Sequence, residues 1–160
     1  MIQRIQTVFL VLVIAGMVAY LLLPYWIKPG PISGAELTCT PLYLKQAMPG
    51  QNEISKIYMP YILCGAGALI AIAVASIEIS GYKNRMTQIK LGLFNSILMS
   101  LILFFSAWLA MKTQKNFMAG NPGTFKAGLF APVISMIFNT LANRYIKKDE
   151  DLVRSADRIR

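Results

Sequence analysis

Four long apolar runs, separated by short clusters of proline, glycine and charge, set the pattern of this chain. They cover residues 8–27, 57–77, 91–111 and 125–142, each near the ~20 residues that carry a helix across ~30 Å of hydrocarbon. Within those limits the only charge is Lys126, one residue past the start of the last run and able to snorkel its ammonium toward water. Turn chemistry fills the gaps: Lys28-Pro29-Gly30-Pro31, Gly81-Tyr82-Lys83-Asn84-Arg85 and Gly120-Asn121-Pro122-Gly123. The pattern predicts an all-α fold, an integral membrane four-helix bundle in one domain. An outer loop spans residues 28–56 and a tail spans residues 143–160. An even number of crossings puts both termini on one side.

Composition strengthens this reading. The 160 residues are 56 % hydrophobic and 14 % charged, where soluble proteins average about 25 % charged. Lipid is the solvent that accepts such an excess. The first run is longer than the apolar part of a cleaved leader and ends in Leu23-Pro24-Tyr25-Trp26 without a small-x-small site, so it is expected to stay as an anchor. Cys39 does not suit a lipoprotein processing site, because Glu36-Leu37-Thr38-Cys39 lies well beyond that run. Ten of the sixteen Lys and Arg residues fall in the end segments and the middle loop, which predicts cytoplasmic termini. Tyr25, Trp26, Tyr58, Tyr61 and Trp108 would then mark the outer interface. A net charge of +9 reads as topology and attraction to anionic lipid, with no nucleic-acid partner expected.

Helix contacts in lipid rest on small and polar side chains. Cys64, Gly67, Ala71 and Ala75 recur at helical spacing in the second run, and Gly92, Ser96 and Ser100 do so in the third, so these faces are expected to meet across the short loop 80–90. Ser135, Asn139 and Asn143 form a polar line that should face protein. Pro132 predicts a local kink and Pro60 a first helical turn. Glu78 is the one carboxylate close to a span and is expected at the water boundary, within reach of Lys83 or Arg85.

Catalytic chemistry finds no foothold. There are no histidines, and Asp149, Glu150, Asp151 and Asp157 lie in a charged tail, so no catalytic set, metal or cofactor is expected. Cys39 and Cys64 read either as two separate apolar thiols or as a disulfide on the outer side. The outer loop suits a small cap or a docking site. The tail reads as a continuation of the fourth helix, with pairs such as Glu150 and Arg154, and serves either as an anchor or as a docking face through Leu152, Ala156 and Ile159.

Three segments carry a family likeness. They are Met1-Ile2-Gln3-Arg4-Ile5-Gln6-Thr7-Val8, then Tyr82-Lys83-Asn84-Arg85 with Gln88-Ile89-Lys90-Leu91 and Asn95, and the ending that runs through Asn143-Arg144-Tyr145 and Lys147-Lys148-Asp149-Glu150-Asp151 to Arg160. In these the chain resembles the uncharacterised four-span bacterial membrane family known as domain of unknown function 4293, found mainly in Bacteroidota. The resemblance implies a multi-pass protein of the cell inner membrane whose matching segments share the cytoplasmic side, and it supplies no activity. Arg4, Arg85, Asn95, Arg144 and Arg154 would form a polar inner face for anionic lipid or another protein. The functional expectation is a non-enzymatic accessory or scaffold subunit of a larger membrane assembly. The alternative is a small oligomeric transporter or channel lined by Ser135, Asn139 and Asn143. A third reading is redox work through Cys39 and Cys64.

Overall fold

The structure, a computed structural model, describes residues 2–30, 35–47, 55–81, 84–116 and 121–157. Among these residues four helices and five short strands follow one another as α1 (Ile2–Leu22), β1 (Trp26–Pro29), β2 (Glu36–Cys39), β3 (Leu44–Ala47), β4 (Ser55–Ile57), α2 (Ile62–Ser80), α3 (Arg85–Asn116), β5 (Thr124–Phe125) and α4 (Ala127–Asp157). The helices pack α1 on α4, α4 on α3, α3 on α2 and α2 on α1. Three of them, over Ile5–Leu22, Ile62–Ser80 and Arg85–Lys115, are long and apolar enough to cross a membrane. The fourth predicted run is helical from Ala127, but with Ser135 and Asn139 inside it and Asn143 and Arg144 just beyond it, α4 does not join those three.

The expectation of a purely helical fold is corrected by a five-stranded antiparallel sheet in the order β4-β3-β2-β1-β5. The predicted outer loop supplies four strands, and the α3–α4 connection supplies the fifth by pairing Trp26 with Phe125 and Ile27 with Thr124. Thr40 closes the β2–β3 turn: its backbone N–H donates to the Tyr43 carbonyl at 3.0 Å, and its hydroxyl donates to the same oxygen at 2.7 Å. The sheet is fastened to the helices through backbone groups. Gly65 N–H of α2 donates to the Pro41 carbonyl of the β2–β3 turn at 2.9 Å, and Gly128 N–H of α4 to the Pro24 carbonyl just before β1 at 3.2 Å. Trp26, Leu37, Cys39 and Leu44 consequently join Tyr20, Tyr25, Tyr61, Cys64 and Leu109 in one apolar core.

The sheet moves several predicted limits. α1 stops at Leu22 because Pro24 cannot continue a helix, and Trp26 and Ile27 belong to β1. Ile57 and Phe125 are likewise strand residues, so α2 and α4 begin later than predicted. Tyr25, Trp26 and Tyr61 are buried and cannot serve as interface aromatics, whereas Tyr58 and Trp108 are exposed. Pro60 follows a cis peptide bond and precedes α2. α4 runs unbroken from Ala127 to Asp157, so the tail does extend the helix as predicted.

The inward face of each helix follows the helical period: Leu10, Val13, Met17 and Tyr20 in α1; Cys64, Ala68, Ala71 and Ala75 in α2; Met99, Ile102, Ser106 and Leu109 in α3. Small residues let α2 approach its neighbours, and Gly67 lies against Ile102 as the expected α2–α3 contact requires. The α3 stripe behaves differently. Gly92, Ser96 and Ser100 meet Asn143, Asn139 and Met136, so that stripe packs on α4 and not on α2. Large apolar residues such as Leu69, Leu93, Ile97, Phe104 and Ile134 point outward along the length of the helices.

Candidate functional site

The sheet and the projecting end of α4 mark the two ends of the helices, called here the sheet end and the tail end. Toward the sheet end, interior polar groups pair. Tyr20 and Ser106 share a hydrogen bond of 2.6 Å, as do Tyr61 and Thr113 at 2.6 Å. Ser106 and Thr113 each donate as well to the carbonyl one turn back in α3, at 2.7 Å to Ile102 and 2.8 Å to Leu109. The Tyr25 hydroxyl is buried here without a hydrogen-bond partner among the described residues.

Toward the tail end the interior fills with amides and one carboxylate. Gln6 on α1, Glu78 on α2, Gln88 and Asn95 on α3 and Asn139 on α4 are all buried. Asn139 Nδ2 donates to the Gly92 carbonyl at 2.6 Å and to Ser96 Oγ at 2.8 Å, tying α4 to α3. Gln88 Nε2 donates to the Glu78 backbone carbonyl at 2.7 Å, tying α3 to α2. Around these bonds, both oxygens of Glu78, both polar atoms of Asn95, Gln6 Nε2, and the side-chain oxygens of Asn139 and Asn143 have no hydrogen-bond partner among the described residues.

Glu78 therefore differs from its sequence expectation. It is 0 % exposed and sits inside the helices instead of at a water boundary. Arg85, its expected neighbour, pairs with Asp149 at 3.0 Å, and Lys83 lies outside the described residues. The sequence signal for burial was present in the step from Ala71 through Ala75 to Glu78, which keeps one face of the helix.

The predicted inner face is not one surface. Asn95 is 0 % exposed and belongs to the interior. Arg85 is held by Asp149. Arg144 alone of the five has a described, exposed side chain, beside a shallow groove of about 280 Å³ lined also by Met136, Ile137, Thr140 and Leu141. The side chains of Arg4 and Arg154 lie outside the described residues, as do Ile159 and the side chain of Ala156. The expected pairing of Glu150 with Arg154 falls there as well.

Cys39 and Cys64 are both buried and both free thiols, so the disulfide alternative is not what the structure holds. Burial pushes the Cys39 thiol up to about 12, and burial likewise raises the Tyr25 and Tyr61 hydroxyls. A thiol held protonated in this way is a poor nucleophile. The Ser135, Asn139 and Asn143 line does face protein: Ser135 Oγ donates to the Val13 carbonyl of α1 at 3.4 Å, and the two asparagines meet α3.

Fold and interior together define a mostly helical protein with three membrane-length helices, a sheet closing one end and a polar interior at the other. The family model for a domain of unknown function, DUF4293, matches residues 2–159, and the chain belongs to that family. No curated protein matches it.

Proposed function

We propose that this is a multi-pass protein of the bacterial inner membrane, crossing the bilayer four times with both termini in the cytoplasm. It acts without catalysis of its own, as an accessory or scaffold subunit of a larger membrane assembly. α4 serves as the fourth crossing because Ser135 and Asn139 turn inward, the exposed Thr140 hydroxyl donates to its own helix at the Met136 carbonyl, and Phe130, Ile134 and Ile137 turn outward. The observation that carries the scaffold reading is the far end of α4. Beyond the Arg85–Asp149 pair, residues 150–157 project roughly 12 Å at about 1.5 Å per residue. On that projection Leu152 is 50 % exposed and Val153 45 % exposed, amid charged neighbours. Apolar side chains on a charged helix end form a docking surface.

The test is crosslinking in native membranes followed by pull-down in mild detergent. Parent protein is expected to capture a partner subunit that Leu152→Arg loses while remaining folded in the membrane. A lone monomer in both cases would end the proposal. Reporter fusions test the topology, which fails if the first and last residues report opposite compartments.

A second reading, a small oligomeric transporter or channel, is favoured by the polar interior between Glu78, Asn95 and Asn139. Flux in liposomes separates the two: equal and negligible flux for parent and Asn139→Leu removes the transport reading.

A further inference from the structure

A carboxylate with no counter-charge is costly wherever water is excluded, and the cost disappears only if it takes up a positive charge. Glu78 stands in that position: it is 0 % exposed and neither oxygen has a hydrogen-bond partner among the described residues. Among the described side chains, those that the elements packed against α2 bury at this end carry no formal charge: α1 presents Gln6, and α3 presents Gln88 and Asn95. Arg85, at the start of α3, pairs through Nη2 with Asp149 of α4 at 3.0 Å, and its Nη1 is buried without a hydrogen-bond partner among the described residues.

The helix directions bring amides to this carboxylate. Side chains lean toward the N-terminus of their own helix. α2 and α3 run in opposite directions, and Gln88 fixes their register by its bond to the Glu78 carbonyl. From that level the Glu78 side chain leans toward the sheet end, while Asn95, two turns further along α3 on the same face, leans toward the tail end. They lean toward each other. α1 supplies the third wall. Tyr20 is level with Ser106, so an equal step along both helices brings Gln6 level with Gly92, between Gln88 and Asn95. Asn95 has both polar atoms unpartnered, so its amide is free to turn its oxygen inward, and Gln6, whose Nε2 is unpartnered, adds a second amide beside it.

We infer that Glu78, with the amide groups of Asn95 and Gln6, forms a binding site for one small monovalent cation, an alkali ion or a proton, in the interior of the tail-end half. Oxygen donors suit hard cations, and a single carboxylate among neutral amides balances one positive charge. Occupancy neutralises Glu78 and locks α1, α2 and α3 around it.

The test uses the full chain in membranes and the apolar reagent dicyclohexylcarbodiimide, which couples to protonated carboxyls shielded from water. Peptide mass spectrometry reads the adduct on Glu78, with Glu78→Gln as the blank. Labelling is followed across a pH series and in sodium, potassium or choline chloride at equal ionic strength. A proton as occupant gives labelling that falls about tenfold per pH unit once the carboxyl ionises, without regard to the salt. An alkali ion as occupant adds a severalfold slowing by sodium or potassium that choline does not reproduce. Absence of an adduct at every pH, or an adduct whose rate ignores both pH and salt, overturns the site. In the alkali case, Asn95→Leu should raise the salt concentration for half protection severalfold, and an unchanged value overturns Asn95 as a ligand. Leu152→Arg leaves this labelling untouched, so the docking surface and the cation site stand or fall separately.

Discussion

The two ends of this molecule solve the same problem with different side chains. Both bury polar groups between helices, yet the sheet-end interior is mostly satisfied and the tail-end interior is not. The difference lies in what each side chain can do alone. Ser106 and Thr113 return a hydrogen bond to their own helix, to Ile102 and Leu109, so a single tyrosine, Tyr20 from α1 or Tyr61 from the residue before α2, completes each of them. Asn, Gln and Glu carry more donors and acceptors than their own turn can absorb, and they need partners brought by other helices. Asn139 finds two and still has its oxygen unpartnered. The sheet end is thus built for packing, and the tail end retains binding capacity.

The largest effect that sharpens this contrast comes from two glycines. At the sheet end a methyl on Gly128 would lie 2.6 Å from the Pro24 carbonyl oxygen and 2.7 Å from that of Leu23. Those are backbone atoms held by the turn between α1 and β1, so Gly128→Ala should cost about 3 kcal/mol, at the upper end of overpacking penalties. At the tail end the nearest atoms to a methyl on Gly92 belong to the amide of the Asn143 side chain, which can rotate away. Gly92→Ala should therefore cost less than about 1 kcal/mol. Thermal unfolding in detergent compares the two, and equal losses would break the distinction between a rigid and an adaptable end.

Next comes Asn139→Leu, which removes the bonds to Gly92 and Ser96 together with a buried, unpartnered oxygen. Loss and relief offset in part, so about 1 kcal/mol is expected, close to the ~0.6 kcal/mol for Tyr20→Phe at the sheet end. A loss of several kcal/mol in Asn139→Leu alone would mean that its oxygen is satisfied after all.

Cys39 supplies a pH test of the sheet end. Its thiol titrates near 9.0 in an unfolded chain and at about 12 in the fold, so the folded state favours the proton. That contribution is complete below the unfolded value and is lost as pH rises through the folded one. Between about pH 8 and about pH 11 the parent should lose more unfolding temperature than Cys39→Ala, because Tyr25 and Tyr61 act in the same direction in both chains. Parallel curves would show that water reaches Cys39.

The helices were legible in the sequence because twenty-residue apolar runs outweigh local detail, and the continuation of α4 to Asp157 followed from its i to i+4 charge spacing. The sheet was not. Its strands are two to four residues long, too short for an alternating period to rise above chance, and the fifth comes from a distant connection. A loop as long as 28–56 was itself a sign of hidden structure. The partners of the small-residue stripes were also hidden: a stripe shows that a face is close-packed, but Gly92 and Ser96 do not say whether α2 or α4 fills it. For Glu78, nearness to the end of the apolar run points to water, whereas its burial is set by the face of α2 that it shares with Ala71 and Ala75.

The smallest effect expected is at Arg85 and Asp149, and it bears on where the interior stops. Their side chains are 24 % and 16 % exposed and lie 3.0 Å apart, at the boundary where α3 begins and α4 starts to project. Pairs that keep contact with solvent contribute little, so Asp149→Asn should change stability by no more than about 0.5 kcal/mol, and added salt should shrink even that difference. The pair's second consequence is electrostatic. While Asp149 holds Arg85 through Nη2, the guanidinium charge is compensated; once Asp149 is neutral, that charge is uncompensated and free to act on Glu78. Asp149→Asn should therefore leave the unfolding temperature nearly unchanged while slowing carbodiimide labelling of Glu78, because a nearby positive charge favours the ionised carboxylate. A large stability loss would place the pair inside the apolar body, and unchanged labelling would separate the charged boundary from the buried carboxylate.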